Sequence, residues 1–377
     1  PKSASRPPGL WLADRMMPPP VRFSRIRCDA AGVDRIAPCP MITRLASLAL
    51  PLVLATTAPP APASTPPGST PPATGTPIPV PAASTIAGLL ALGRPIVLAH
   101  TAGEDAYPGS TMFGFTQSAK AGVDMLDFNV TLSKDDVLVV QHDLTVDRLT
   151  NATGNVVDKT YAELAALDNA YWFTGQCGAC TDKPADAYVF RGVRTGEKPA
   201  PAGYTAEDFK IPTLQDVLTA FPAYTLNIEI KGEGALGART AKVLAEELTA
   251  AGALDRVVVT SFDDATVDAF RALAPSVELS PGLTTTTQWV LGRVSLPSGM
   301  RILQLPPTYN GLEILNAKQV EDAHAAGYLI WVWPNNRSEE NLDSYRAFLA
   351  LGLDGLNINF PVDGVRAVAG AAVPGSS

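Results

Sequence analysis

No run of eighteen unbroken apolar residues occurs in the 377-residue chain, so a membrane-spanning helix is not expected. Cysteine is scarce. Cys28 and Cys39 lie ahead of a leader-like segment, which leaves only Cys177 and Cys180, spaced C-x-x-C, for a processed protein. With no histidine nearby, that pair is a poor zinc site. In an exported chain it reads as a small loop-closing disulfide rather than a redox centre. No G-x-G-x-x-G opens a helix after a strand, which weakens a dinucleotide-binding reading. Net positive charge is also missing. Residues 1–40 hold seven Lys/Arg against three Asp, so the net charge of −8 deepens to −12 over residues 41–377. Phosphate repulsion then disfavours nucleic acid as a partner.

The amino-terminal region carries signals of processing rather than of a fold. Residues 1–40 are Pro- and Arg-rich, without helical or strand periodicity, and read as an upstream, non-structural segment. Met41 opens a stretch with the single charge Arg44, then the apolar run Leu45 to Ala55, then Ala61-Pro62-Ala63. Residues 41–63 thus have the anatomy of a secretory signal peptide, and secretion is the expectation. No Cys follows the cleavage site, so a bacterial lipid anchor is not indicated. Residues 64–84 continue a Pro/Ala/Thr/Ser/Gly tract that cannot bury enough surface to fold and reads as a linker. The folded domain is expected over residues 85–370.

From Pro95 onward, short β-branched runs alternate with amphipathic stretches. The runs are Ile96–His100, Met125–Val130, Val137–His142, Leu226–Lys231, Val257–Ser261, Val277–Leu283, Ile302–Leu305, Leu329–Trp333 and Gly355–Asn359. Helical partners are expected at Thr111–Ala121, Leu214–Ala220, Ala238–Ala251, Ala265–Leu273, Ala317–Ala326 and Glu339–Leu351. This alternation implies an α/β fold, a (βα)8 TIM-type barrel with one long inserted loop. Too few residues separate Val130 from Val137 for a parallel crossover, so those two runs should form a hairpin, reconciling nine runs with eight barrel strands. Residues 174–208, rich in Pro, Gly and Ala, form the insertion, a lid or binding loop by its length.

Of the three histidines, His100 and His142 end predicted strands, and His324 falls on a helix expected to be exposed. Barrel active sites form at the carboxyl ends of strands, so His100 and His142 should share one mouth. Asp127 with Asn129, and Glu229 with Lys231, are i, i+2 pairs, each projecting to one side of its strand. Burying such groups unpaired is costly, which argues for a site over a core; a structural Glu229–Lys231 ion pair is the bland alternative. Oxygen donors without thiolate or clustered imidazole suit a hard divalent cation, Ca2+ or Mg2+. Should the substrate be a phosphodiester, such a metal would locally offset the negative field of the chain.

These residues fall into a familiar order. Leu98-Ala-His100-Thr-Ala-Gly-Glu104, Pro108-Gly-Ser-Thr111, Gly122 to Val130, Val139-Val-Gln-His142-Asp143 and Asp147-Arg148-Leu-Thr-Asn151 come first. Asn227-Ile-Glu229-Ile-Lys231, Thr260-Ser-Phe-Asp263, Trp331-Val-Trp333-Pro-Asn335 and Gly352 to Pro361 follow. Over roughly residues 95–362 the set resembles the glycerophosphodiester phosphodiesterase family. The resemblance implies a metal-assisted phosphoric diester hydrolase that takes a small glycerophosphodiester to an alcohol and glycerol phosphate. His100 and His142 match the family's acid/base positions, and Asp127, Asn129 and Glu229 its metal ligands. Lys231 matches a basic residue beside the phosphate, and Trp333 an aromatic at the site. The chain departs from the family at Thr101, where Arg is usual, at Gly109 in place of Glu, and at Asp127-x-Asn129 in place of Glu-x-Asp. The amide at Asn129 inclines the choice toward Ca2+, which accepts carbonyl oxygens readily. The alternative these losses keep open is a catalytically impaired barrel that binds phosphodiesters or cell-wall polymers. A second is a phospholipase with an exposed apolar rim near the insertion, for which Tyr171, Trp172 and Phe173 are the aromatic cluster at hand, though one that reads better as core.

Overall fold

The computed structural model describes residues 77–175 and 177–371; the expected upstream segment, signal peptide and most of the linker lie outside them. Thr85 starts the ordered elements by accepting from Gly88 N, capping a short helix at Ile86–Leu90.

Eight parallel strands follow one another round a nearly closed sheet, a TIM-type α/β barrel. They are β1 (Ile96–Ala99), β2 (Met125–Leu132), β4 (Thr225–Ile230), β5 (Val257–Thr260), β6 (Glu278–Leu279), β7 (Ile302–Leu305), β8 (Leu329–Val332) and β9 (Gly355–Ile358). The circuit is completed by pairing of β1 with β9 and by a parallel bridge from Leu279 to Met300, just ahead of β7. The remaining strand, β3 (Leu138–Val140), pairs antiparallel with β2, Val130 opposite Val140. The expected hairpin is therefore present, and it matters for the site. β2 overshoots the barrel wall, turns at Ser133–Asp136, and β3 descends until Gln141 N donates to Asn129 O. His142 thus comes to the level of Asn129 in the bend just beyond the descending β3, not on the expected strand Val137–His142 and not at the carboxyl end of a barrel strand.

Helices pack outside the strands: α1 (Met112–Ala121), α2 (Leu214–Ala220), α3 (Gly234–Ala250), α4 (Asp264–Leu273), α5 (Leu283–Gly292), α6 (Ala317–Ala325), α7 (Leu342–Ala350) and α8 (Pro361–Gly370). Side-chain caps from Thr111, Thr213, Asn316 and Asn341 mark where four of them begin. The run Val277–Leu283 was expected as one strand; the strand stops at Leu279, and Leu283 begins α5. Four consecutive threonines hid that helix, since β-branched side chains lower helix propensity without forbidding it.

Strand parity divides the core in two. Val97, Leu126, Phe128, Ile228, Val259, Leu303, Ile330 and Leu356 point outward into the layer beneath the helices. Ile96, Leu98, Met125, Val258, Ile302 and Trp331 fill the barrel interior with the Ile86–Leu90 helix. Continuing the inward parity toward the carboxyl ends leads from Leu98 to His100, from Met125 to Asp127 and Asn129, and from Asn227 to Glu229 and Lys231. It leads likewise from Ile302 to Gln304, from Trp331 to Trp333 and from Asn357 to Asn359. The interior is apolar at one end and polar at the other because of the period of two.

The insertion holds a two-strand turn, Phe173–Thr174 with Gly178–Ala179, closed by a Cys177–Cys180 disulfide. Phe173 is buried, whereas Tyr171, Trp172 and the buried Tyr188 surround the Arg191 guanidinium at 4.3, 4.6 and 3.8 Å. Those rings are occupied in holding the insertion together.

Candidate active site

All seven residues singled out from the sequence project into the mouth at the carboxyl ends of the strands. The His100 and His142 rings meet edge to face, 6.0 Å between centroids. Each is tethered through Nδ1. His142 Nδ1 lies 2.7 Å from Oδ1 of Asp143, and His100 Nδ1 lies 2.8 Å from Oδ1 of Asn359. Both Nε2 atoms are left for the mouth. His324, on α6, pairs with Asp354 and takes no part.

Arg148 joins the two histidine neighbourhoods. It donates through Nε to Oδ2 of Asp143 at 3.0 Å and through Nη1 to Oε2 of Glu104 at 3.1 Å. Arg148 and the two imidazoles hold the Glu104 carboxyl down at about 2 in spite of its burial, which acts the other way. Glu104 and Asp127 in turn act on His100. Burial alone would lower its pKa, yet these carboxylates together with Asn359 raise it above the ordinary value. His142 goes the other way: burial, and then the Lys231 ammonium, lower its pKa despite the Asp143 hydrogen bond. Two like side chains at one mouth are thereby biased apart, one toward the charged form and one toward the neutral.

Asp127, Asn129 and Glu229 converge from adjacent strands, with Asn129 registered against Glu229. Asp127 accepts from Thr101 N at 3.1 Å and from Asn227 Nδ2 at 2.6 Å. Asn129 Nδ2 donates to Oε2 of Glu229 at 2.9 Å, and Oε1 of Glu229 lies 2.8 Å from Lys231 Nζ. The structural ion pair considered from the sequence is thus formed, within the site. Among the described residues no group of three His, Cys, Asp or Glu gathers tightly enough for a metal. Two carboxylates and one amide nevertheless meet, an all-oxygen donor set once the Asn129 amide turns its carbonyl inward. That chemistry fits a hard cation with one charge fewer than three carboxylates would give.

Trp333 donates from Nε1 to the Gln304 carbonyl at 3.1 Å, and its ring meets Phe262 with centroids 6.0 Å apart. The Lys231 ammonium lies 5.7 Å from the Phe262 ring. Thr101, where an arginine was missed, adopts φ 47° and Ala102 φ 66°. This left-handed backbone is costly for residues with a Cβ, and it turns Thr101 N toward Asp127. The sequence suggested no site role for Asn359, named only as the end of a strand run, nor for Asp105 and Glu340 behind it. The signal for Asn359 was its two-residue spacing from Asn357 on an otherwise apolar strand.

Known proteins share the sequence pattern and the fold of this chain. Residues 100–363 match the pattern of a family described as the glycerophosphoryl diester phosphodiesterase family. A glycerophosphodiester phosphodiesterase of Bacillus altitudinis is 28% identical over 279 residues, covering 72% of this chain and 96% of that one. A phosphodiesterase of Oleispira antarctica, solved with the product sn-glycerol-3-phosphate, superposes with TM-score 0.55 at 20% identity, covering 73% of this chain and 97% of that one. A glycerophosphodiester phosphodiesterase of Agrobacterium tumefaciens gives 0.51 at 21% identity, covering 72% and 99%. At such identities the two superpositions speak for the fold.

Proposed function

Since the chain belongs to the glycerophosphoryl diester phosphodiesterase family, whose members are phosphoric diester hydrolases that generally use a divalent metal, we propose that it hydrolyses glycerophosphodiesters to an alcohol and glycerol phosphate by paired-histidine catalysis. The observation that carries this is the pair of imidazoles at 6.0 Å, both tethered through Nδ1, beside Lys231 and a cluster of oxygen donors.

His142, biased toward its neutral form, takes through Nε2 the proton of the glycerol 2-hydroxyl as that oxygen attacks phosphorus, and His100, biased toward its charged form, gives a proton to the departing alkoxide as its phosphorus–oxygen bond breaks. The cyclic phosphate so formed is opened by water with the two roles reversed, His100 taking a proton from the water and His142 returning one to the glycerol oxygen, which yields glycerol phosphate. Asp143 holds the His142 ring and stabilises the imidazolium that forms there. Lys231 and the Thr101–Gly103 turn face the phosphate, and Trp333 with Phe262 bounds the pocket. Asp127, the Asn129 carbonyl and Glu229 would hold Ca2+ or Mg2+, with Ca2+ the better match to an amide donor. The ion would supply charge withdrawal from the phosphate oxygens. The apolar run at residues 45–55 supports action after export.

Protein starting near Ser64 should release glycerol phosphate from glycerophosphocholine or a related diester with Ca2+ or Mg2+, and lose that activity on exhaustive chelation. His142→Ala should lower kcat by about a hundredfold or more, the usual scale of such catalysis. Undiminished turnover in either case would count against the proposal. The satisfied Asn129–Glu229–Lys231 contacts favour one second reading, a barrel that binds diesters without turnover; saturable binding with no hydrolysis under any divalent ion would select it.

A further inference from the structure

His100 reaches Asn359, and the Asn359 amide is held from behind in a way that settles its orientation. Its Nδ2 donates to Oδ2 of Asp105 at 3.0 Å. Asp105 is fully buried. The Arg337 guanidinium lies 2.8 Å from its Oδ1 and donates from Nε to its Oδ2 at 3.2 Å. An ionised carboxylate offers acceptors only, so the NH2 of Asn359 must face Asp105 and its carbonyl must face His100. A carbonyl accepts and cannot donate. The proton of the neutral ring must therefore sit on Nδ1, 2.8 Å away, leaving the lone pair on Nε2. The backbone of Asn359 is fixed as well, its N–H donating at 2.9 Å to Oε2 of Glu340, which also takes the Tyr345 hydroxyl.

We infer that Asn359 and Asp105 are positioning residues for the hydrolysis proposed above: Asp105 orients the Asn359 amide, and the amide holds His100 as the Nδ1–H tautomer with Nε2 turned to the substrate. Neither residue touches the reacting atoms. The inference rests on the proposed function for its consequence, and on the hydrogen-bond chain alone for the tautomer.

The test uses 15N-labelled histidine in the otherwise intact protein. Only three rings contribute, and His142→Ala and His324→Gln variants assign them. At about pH 9, where an ordinary ring is neutral, His100 should show a protonated Nδ1 and an unprotonated Nε2. Asp105→Asn keeps the side-chain size but can present an NH2, allowing the Asn359 amide to turn over. The Nε2–H form of His100 should then appear, and kcat should fall about tenfold or more with KM within about twofold. Asn359→Leu removes the acceptor and should give the same mixture. A wild-type ring protonated on Nε2 would overturn the whole inference. A single Nδ1–H form persisting in Asp105→Asn would overturn the role of Asp105, and in Asn359→Leu that of Asn359. The ring shifts decide the tautomer whether or not the wild type turns over a diester, so failure of the proposed hydrolysis is distinguishable from failure here.

Discussion

Glu340 lies beneath the Asn359–His100 pair and is 6% exposed. Burial pushes its carboxyl from the ordinary 4.5 up to about 7, outweighing the hydrogen bonds from Tyr345 and Asn359 N that favour the charged form. In the unfolded chain the same group ionises at its ordinary value. A folded pKa raised above the unfolded one means that the folded state holds the proton more tightly. The associated stability is full below about pH 4.5 and is lost as pH rises through about 7. The difference between 4.5 and about 7 corresponds to about 3 kcal/mol in all, most of which falls between pH 5 and pH 8. Glu340→Gln preserves the shape and the acceptor but cannot ionise. Urea unfolding of the two proteins at both pH values should show the stability of the variant relative to wild type growing by about 2–3 kcal/mol from pH 5 to pH 8. A relative stability constant to within about 0.5 kcal/mol would refute the reasoning.

Asn129→Asp restores a third carboxylate beside Asp127 and Glu229. Calorimetric titration should show Ca2+ bound about tenfold more tightly than by wild type, with the apo variant melting lower from carboxylate repulsion and recovering when Ca2+ is added. Equal affinity would place the cation elsewhere. Ser110 sits at φ 52° with a buried hydroxyl that has no partner among the described residues. Ser110→Gly removes both costs and should raise stability by about 1–2 kcal/mol, a few degrees in a thermal melt; a destabilised variant would show that the hydroxyl is paired.

Much of the fold was legible because parallel strands buried on both faces leave unbroken β-branched runs, and the gap between Val130 and Val137 admits only a hairpin. The period of two carried the site as well, since Met125, Asp127 and Asn129 share a face whatever the rest of the chain does. What escaped was held by contacts distant in sequence. Asn359 meets His100 across 259 positions, and its amide orientation depends on Asp105 and then on Arg337, three loops that no local pattern connects. Glu340 carried no signal, because an acidic residue in the first turn of the expected helix Glu339–Leu351 reads as solvated; the helix begins only at Leu342, and Tyr345 and Asn359 close over Glu340. The helix at Leu283 was masked by threonines whose cost is outweighed by the burial of Trp289 and Val290.

If the mouth binds a phosphodiester as proposed, its cations bear on how a net-negative chain would receive an anion without an arginine beside the first histidine. Arg148 has both faces engaged by Asp143 and Glu104, and Arg337 is committed to Asp105. Lys231 alone has a partner with a competing use, because Glu229 belongs to the oxygen set that fits a hard cation. On the function proposed above, were Glu229 to turn to such a cation, Lys231 would lose its partner and its ammonium would become available to a phosphate oxygen. The two ligands would then favour one another without touching, each stabilising the arrangement the other needs. The Asn129–Glu229 hydrogen bond would belong to the same exchange, since the amide would have to release Oε2 to present its own carbonyl. On that reading an amide at this position would change more than the charge count: the contacts of Asn129, Glu229 and Lys231 satisfy one another at rest, and phosphate capture would require breaking them.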